Sequence, residues 1–141
     1  MGRTKNGFTI LELLVVVGII ALASALVMAG LSSAREKSRD ARRISDMKQL
    51  QNALGLYQIS NRTFPISPTP GTPIALTGSD AVSLELQSDE YISIIPKDPQ
   101  DPSQQYTYDS SANGSTYTLG FCLETNNIPG YVEGCGNTIM P

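Results

Sequence analysis

The chain has 141 residues, no histidine and a formal net charge of −3. That length leaves room for one modest domain. The lack of histidine removes the usual general base, every Ser–His or Cys–His pair and histidine-ligated zinc.

Charge is distributed in blocks. Arg35, Lys37, Arg39, Arg42, Arg43 and Lys48 outnumber Glu36, Asp40 and Asp46 in one short stretch, whereas from Gln49 onward only Arg62 and Lys97 oppose nine acids. An acidic C-terminal part on a basic neck argues against gripping nucleic acid by its phosphates.

In chain order, Met1 to Gly7 is polar and carries Arg3 and Lys5, and an apolar run begins abruptly at Phe8. From Phe8 to Leu31 the run is broken only by Thr9, Glu12, Ser24, Gly18 and Gly30, and a bilayer span needs about 20 residues. Ala21, Ala23 and Ala25 imitate the small-residue site of an ordinary signal peptide, so a plain signal or anchor is the simpler alternative. Glu12 stands against it. A charge at the centre of a spanning helix costs roughly 2.5–3.5 kcal/mol, less near an end, and marks a functional position by default.

The string Gly7-Phe8-Thr9-Ile10-Leu11-Glu12-Leu13-Leu14-Val15-Val16 resembles the leader junction of type IV pilins and of the pseudopilins of type II secretion. A short basic leader, Gly before Phe, Thr next and Glu as the fifth residue after the junction are found together. The resemblance implies an α+β pilin-like fold: a long N-terminal helix packed on a small antiparallel sheet. It also implies removal of residues 1–7 by a prepilin peptidase that cuts between Gly7 and Phe8, methylation of the new amine of Phe8, and a role for Glu12 in assembly. The expected partners are further copies of the chain in a helical filament, the peptidase, an inner-membrane assembly platform with its ATPase, and membrane lipid before assembly. The expected location is a single-pass inner membrane protein with a cytoplasmic N-terminus, later an extracellular or periplasmic filament. Lysine and arginine flank both ends of the apolar run, so charge does not set this orientation; it rests on the resemblance.

Beyond Leu31 a helical stripe continues through Ala34, Ala41, Ile44, Met47, Leu50, Leu54 and Tyr57, with Arg, Lys, Asp and Gln on the other faces. No proline occurs between Phe8 and Ser60, so one helix of about 50 residues is expected, roughly 75–80 Å long. Residues 8–31 form its membrane and filament-core half, and residues 32–61 its amphipathic half. From Phe8 to about Ile44 the chain offers no partner of its own, whereas Met47 to Tyr57 packs on the head. The resembled family often has a helix-breaking proline in the second half of the span; Ala29-Gly30 stands there.

Residues 62–141 form the expected head. Asn61 to Pro65 ends the helix, and Pro65, Pro68, Pro70, Gly71 and Pro73 make an irregular connection. Ser79 or Asp80 caps a short helix carrying Ala81, Val82, Leu84 and Leu86. Gln105 to Asp109 and Thr116 to Leu123 read as a hairpin, and a third strand is expected between Ile128 and Val132 despite Pro129 and Gly130. Cys122 and Cys135, an isolated pair beyond a span, favour a disulfide over a metal site or a redox dithiol.

Major pseudopilins often hold calcium beside their sheet. Asp98, Asp101 and Asp109 offer hard oxygen ligands in the matching region, and a solvated acidic loop is the alternative. No other cofactor is implied. Three functional classes remain: a structural filament subunit; a minor, tip-located module for adhesion or DNA uptake; and a membrane-tethered enzyme. Nothing places a base beside any Ser or Tyr, which disfavours the last.

Overall fold

A computed structural model describes residues 7–141 of the protein; residues 1–6, most of the expected leader, lie outside the described residues. Helix α1 runs Ile10–Asn61, 52 residues without a break. It stops where Asn61 Nδ2 donates to the Tyr57 carbonyl (3.2 Å). Arg62 then turns left-handed at φ 64°, its N–H closing on the Gln58 carbonyl at 2.7 Å. A residue in this conformation satisfies a carbonyl that the helix leaves open.

Five further elements follow: β1 (Ile74–Ala75), α2 (Ala81–Ser88), β2 (Thr107–Ser110), β3 (Tyr117–Leu123) and β4 (Gly134–Ile139). The strands form one sheet in the order β1-β2-β3-β4, antiparallel throughout. The described residues divide into two compact units, one ending at Arg35 and the other Glu36–Pro141.

Within the second unit, the inward side chains of β3, Tyr117, Leu119, Phe121 and Leu123, alternate with half-buried ones. They join Met47, Leu50, Ala53, Leu54 and Tyr57 of α1 and Val82 and Leu86 of α2 in one apolar core. Tyr106 and Tyr108 enter the core with their hydroxyls satisfied, Tyr106 Oη donating to Asp46 at 2.8 Å and Tyr108 Oη to the Pro65 carbonyl at 2.7 Å. Buried tyrosine is tolerated on this condition. Of the two candidate caps for α2, Asp80 is the one used: its Oδ1 accepts from Ser83 N at 2.9 Å and its Oδ2 from Thr77 N at 2.7 Å.

Four expectations need correction. The connection after α1 is not wholly irregular, because Ile74 and Ala75 pair with Tyr108 and Thr107 as a short edge strand. The strand expected between Ile128 and Val132 does not form: Pro129 has no N–H to give, Gly130 takes φ 87°, and Tyr131 N closes a turn on the Ile128 carbonyl at 3.2 Å. The last strand is β4, whose residues Gly-Cys-Gly-Asn-Thr-Ile carry almost no apolar alternation. The buried stripe does not pass through Ala34 and Ala41, which are exposed; Asp40 and Arg43 are buried in its place. The self-packed part of α1 consequently begins near Glu36 rather than after Ile44.

Candidate functional site

Along residues 8–31 the large apolar side chains are exposed, among them Phe8 (83 %), Ile10, Leu14, Ile20, Leu26 and Met28. By length and composition this part of α1 is able to cross a membrane. At its start Thr9 and Glu12 form a capping box. Thr9 N and Thr9 Oγ1 both donate to Glu12 Oε2 at 2.9 Å, and Glu12 N donates back to Thr9 Oγ1 at 3.2 Å. Helix starts leave N–H groups unpaired, and reciprocal bonding of this kind satisfies them. Phe8, the residue before Thr9, lies outside the helix.

The second feature is a charged cluster at the top of the head's core. Arg43 is fully buried, and its guanidinium uses every donor. Nε and Nη2 clasp the two Asp98 oxygens at 2.7 and 3.0 Å, Nη1 reaches Asp40 Oδ1 at 2.8 Å and Glu124 Oε1 at 2.7 Å, and Nη2 also reaches Gln100 Oε1 at 2.9 Å. Asp40 in turn accepts from Glu124 N (2.9 Å), Thr125 N (2.9 Å) and Thr125 Oγ1 (2.7 Å). Arg39 closes the outer side with two bonds to Glu124, from Nε at 2.7 Å and from Nη2 at 2.5 Å. The cluster ties α1 to the turn at Asp98 and to the end of β3.

Such pairing keeps the charges fixed. Burial works against the Arg43 charge, but hydrogen bonds to Asp98, Glu124 and Asp40 raise its pKa above the ordinary arginine value. The Glu124 carboxyl is held down at about 2, chiefly by Arg39 and further by Arg43. A depressed carboxylate pKa contributes stability that is complete above the unfolded value near 4.5 and is lost as pH falls toward 2. After allowance for solvent at its open edge this amounts to on the order of 1–2 kcal/mol.

Cys122 and Cys135 are bonded across β3 and β4, where they stand as direct cross-strand partners. The bridge pins the weakly patterned β4 to the sheet; in the chain-entropy model a loop of this length contributes about 3 kcal/mol.

The three aspartates considered for calcium do not come together as a metal site. Asp98 is buried and clasped by Arg43. Asp101 is exposed and accepts from Gln105 Nε2 at 3.0 Å. Asp109 accepts from Gly71 N at 2.9 Å and from Ser110 N at 2.8 Å. Among the described residues no group of three or more Cys, Asp or Glu side chains is placed to hold a metal, so these residues do not fit the calcium that the resemblance implies.

Arg43, Asp40 and Glu124 are the residues sequence reasoning missed, since they were counted with the solvated neck and head. The available signal was spacing: positions 40, 43, 47, 50, 54 and 57 alternate steps of three and four on one helix face.

A long apolar-to-amphipathic helix ending in a small disulfide-pinned antiparallel head defines the α+β pilin-like class of membrane-anchored subunits. The sequence comparisons narrow this. Residues 2–28 match the family model for the prokaryotic N-terminal methylation motif, and residues 30–130 match that for type II secretion system protein G. The chain is 30 % identical over 139 residues to type II secretion system core protein G of Pectobacterium carotovorum, covering 96 % of this chain and 86 % of that one. It is 33 % identical over 100 residues to that of Aeromonas hydrophila (71 % and 68 % covered), and 29 % identical over 104 residues to that of Vibrio cholerae (74 % and 71 %). No solved structure gave a significant match. The chain belongs to the type II secretion system protein G family, the structural pseudopilins; it is a filament subunit and not an enzyme.

Proposed function

We propose that the protein is made with a leader, cut between Gly7 and Phe8 by a prepilin peptidase, methylated on Phe8, and polymerised into a type II secretion pseudopilus. The assembly machinery is an inner-membrane platform driven by an ATPase. Before assembly residues 8–31 reside in the inner membrane with the N-terminus in the cytoplasm, and in the filament they form its core. Residues 32–61 lead from that core into the head of residues 62–141. Copies of the same chain are the main partners, and the acidic head takes no part in holding nucleic acid.

The observation that carries this reading is the contrast between the two units. Residues 36–141 bury a complete core, while the large apolar side chains of residues 8–31 are left exposed by their own chain. Apolar surface on that scale calls for lipid or for neighbouring helices. Overproduction of the chain with the secretion machinery is expected to yield filaments, sheared from the cells, in which this chain is the main protein by mass spectrometry. Retention of the whole cleaved population in the membrane fraction, with sheared fibres lacking it, would overturn the proposal.

A further inference from the structure

We propose that the Arg43 guanidinium is a built-in cation that binds the head's segments together as a divalent ion could, so that the folded head neither requires nor binds calcium. The donor inventory supports this. A guanidinium carries five N–H groups, and all five of Arg43 are spent on acceptors from three separate segments: Asp40 on α1, Asp98 and Gln100 in the turn before β2, and Glu124 after β3. Binding together segments distant in sequence is the structural service a bound cation gives to loops.

The acceptors are equally committed. Both oxygens of Asp98 receive Arg43, and Oδ1 also takes Gln100 N at 2.8 Å. Asp40 Oδ1 takes Arg43 and Glu124 N, and its Oδ2 takes Thr125. Glu124 Oε1 takes Arg39 and Arg43, and Oε2 takes Arg39. No carboxylate oxygen of the cluster is left for a metal, and calcium asks for six to eight oxygen ligands.

Removal of the arginine side chain changes the inventory. The oxygens it engages, Asp98 Oδ1 and Oδ2, Asp40 Oδ1, Glu124 Oε1 and Gln100 Oε1, are then left around a void, with three carboxylates balanced by Arg39 alone. As they stand these groups are not placed to hold a metal; drawn inward into the void, they make a hard-oxygen set of the kind that attracts calcium. A truncated Arg43 variant thus acquires the metal dependence from which the wild type is free.

The test is thermal unfolding of the full chain in detergent micelles, followed by the near-ultraviolet dichroism of its tyrosines, in calcium chloride or in a calcium chelator. The wild-type Tm is expected to agree between the two conditions within about 1 °C. Arg43→Ala is expected to unfold at lower temperature in chelator and to regain roughly 5 °C or more in calcium. If Arg43→Ala is unfolded in chelator, restoration of its tyrosine signal by calcium chloride supports the proposal, and failure to restore it overturns it. Arg43→Lys keeps the charge with three donors, and is expected to show an intermediate Tm and no response to calcium. Stabilisation of the wild type by calcium, or a folded Arg43→Ala that ignores calcium, would overturn the proposal.

Discussion

Glu12→Val is expected to insert into the membrane and be cleaved after Gly7, yet to be missing from sheared filaments when it is the only copy expressed. Replacing the carboxylate makes the apolar run more hydrophobic, so insertion is favoured rather than impaired. In the uncleaved chain Glu12 is satisfied by its own neighbour, accepting both the N–H and the hydroxyl of Thr9. Cleavage as proposed adds a positive amine on Phe8, four residues before Glu12 and just ahead of the start of α1 at Ile10. Within a filament that amine can also meet the Glu12 of a neighbouring subunit staggered by about the same distance.

Burying either charge alone is costly, whereas a paired charge recovers much of the cost and fixes register. Under the proposed function Glu12 is expected to set the depth at which an incoming subunit stops. Loss of the pairing is expected to reduce filament yield to background while leaving the amount of cleaved protein in the membrane unchanged. A normal yield from the Glu12→Val strain would show that apolar packing alone drives assembly.

Asp40→Ala is expected to destabilise the head by about 3–5 kcal/mol, the range found when one partner of a buried ion pair is removed. Asp40 is fully buried and accepts two backbone N–H groups, one hydroxyl and one guanidinium N–H. Alanine strands all four donors in a place water reaches poorly, and each stranded donor carries its own desolvation cost. For a domain of this size each kcal/mol moves Tm by roughly 4–8 °C, so a fall of at least about 12 °C is expected. Asp101→Ala, which removes an exposed carboxylate, is expected to stay within about 0.5 kcal/mol of wild type. Equal effects of the two substitutions in denaturant unfolding would contradict the role given to the cluster.

The elements legible in the sequence are those whose physics is local. A proline-free run from Phe8 to Ser60 specifies one helix, Asp80 declares a helix start, and the alternation of Tyr117, Leu119, Phe121 and Leu123 declares an inner strand. The exposed N-terminal run follows from such patterns, whereas the α+β pilin-like class rests on the resemblance at Gly7 to Val16 and the cysteine pairing on an isolated pair beyond a span. Strand β4 was not legible, because its position is held by the Cys122–Cys135 bridge and by pairing with β3 rather than by apolar alternation. Asn137 contributes by donating to the Val132 and Gly134 carbonyls at 2.8 and 3.1 Å.

The charged cluster was hidden for a related reason. A helical arginine and aspartate are usually solvated, and only the arrival of Glu124 and Asp98 from 81 and 55 residues away makes their burial affordable. The same long-range closure removes Asp98 from the calcium set that the resemblance implied. Glu12 was visible as an anomaly in an apolar run, but its bonding to Thr9 depends on where the helix begins.

The most direct test of the central claim is the intact mass of the chain recovered from sheared filaments. The expected mass is that of a mature protein that begins at Phe8, lacks residues 1–7, carries one added methyl group on its amine, and retains the Cys122–Cys135 bond. A mass showing cleavage after the apolar run, or an unprocessed Met1 in the filament, would contradict it.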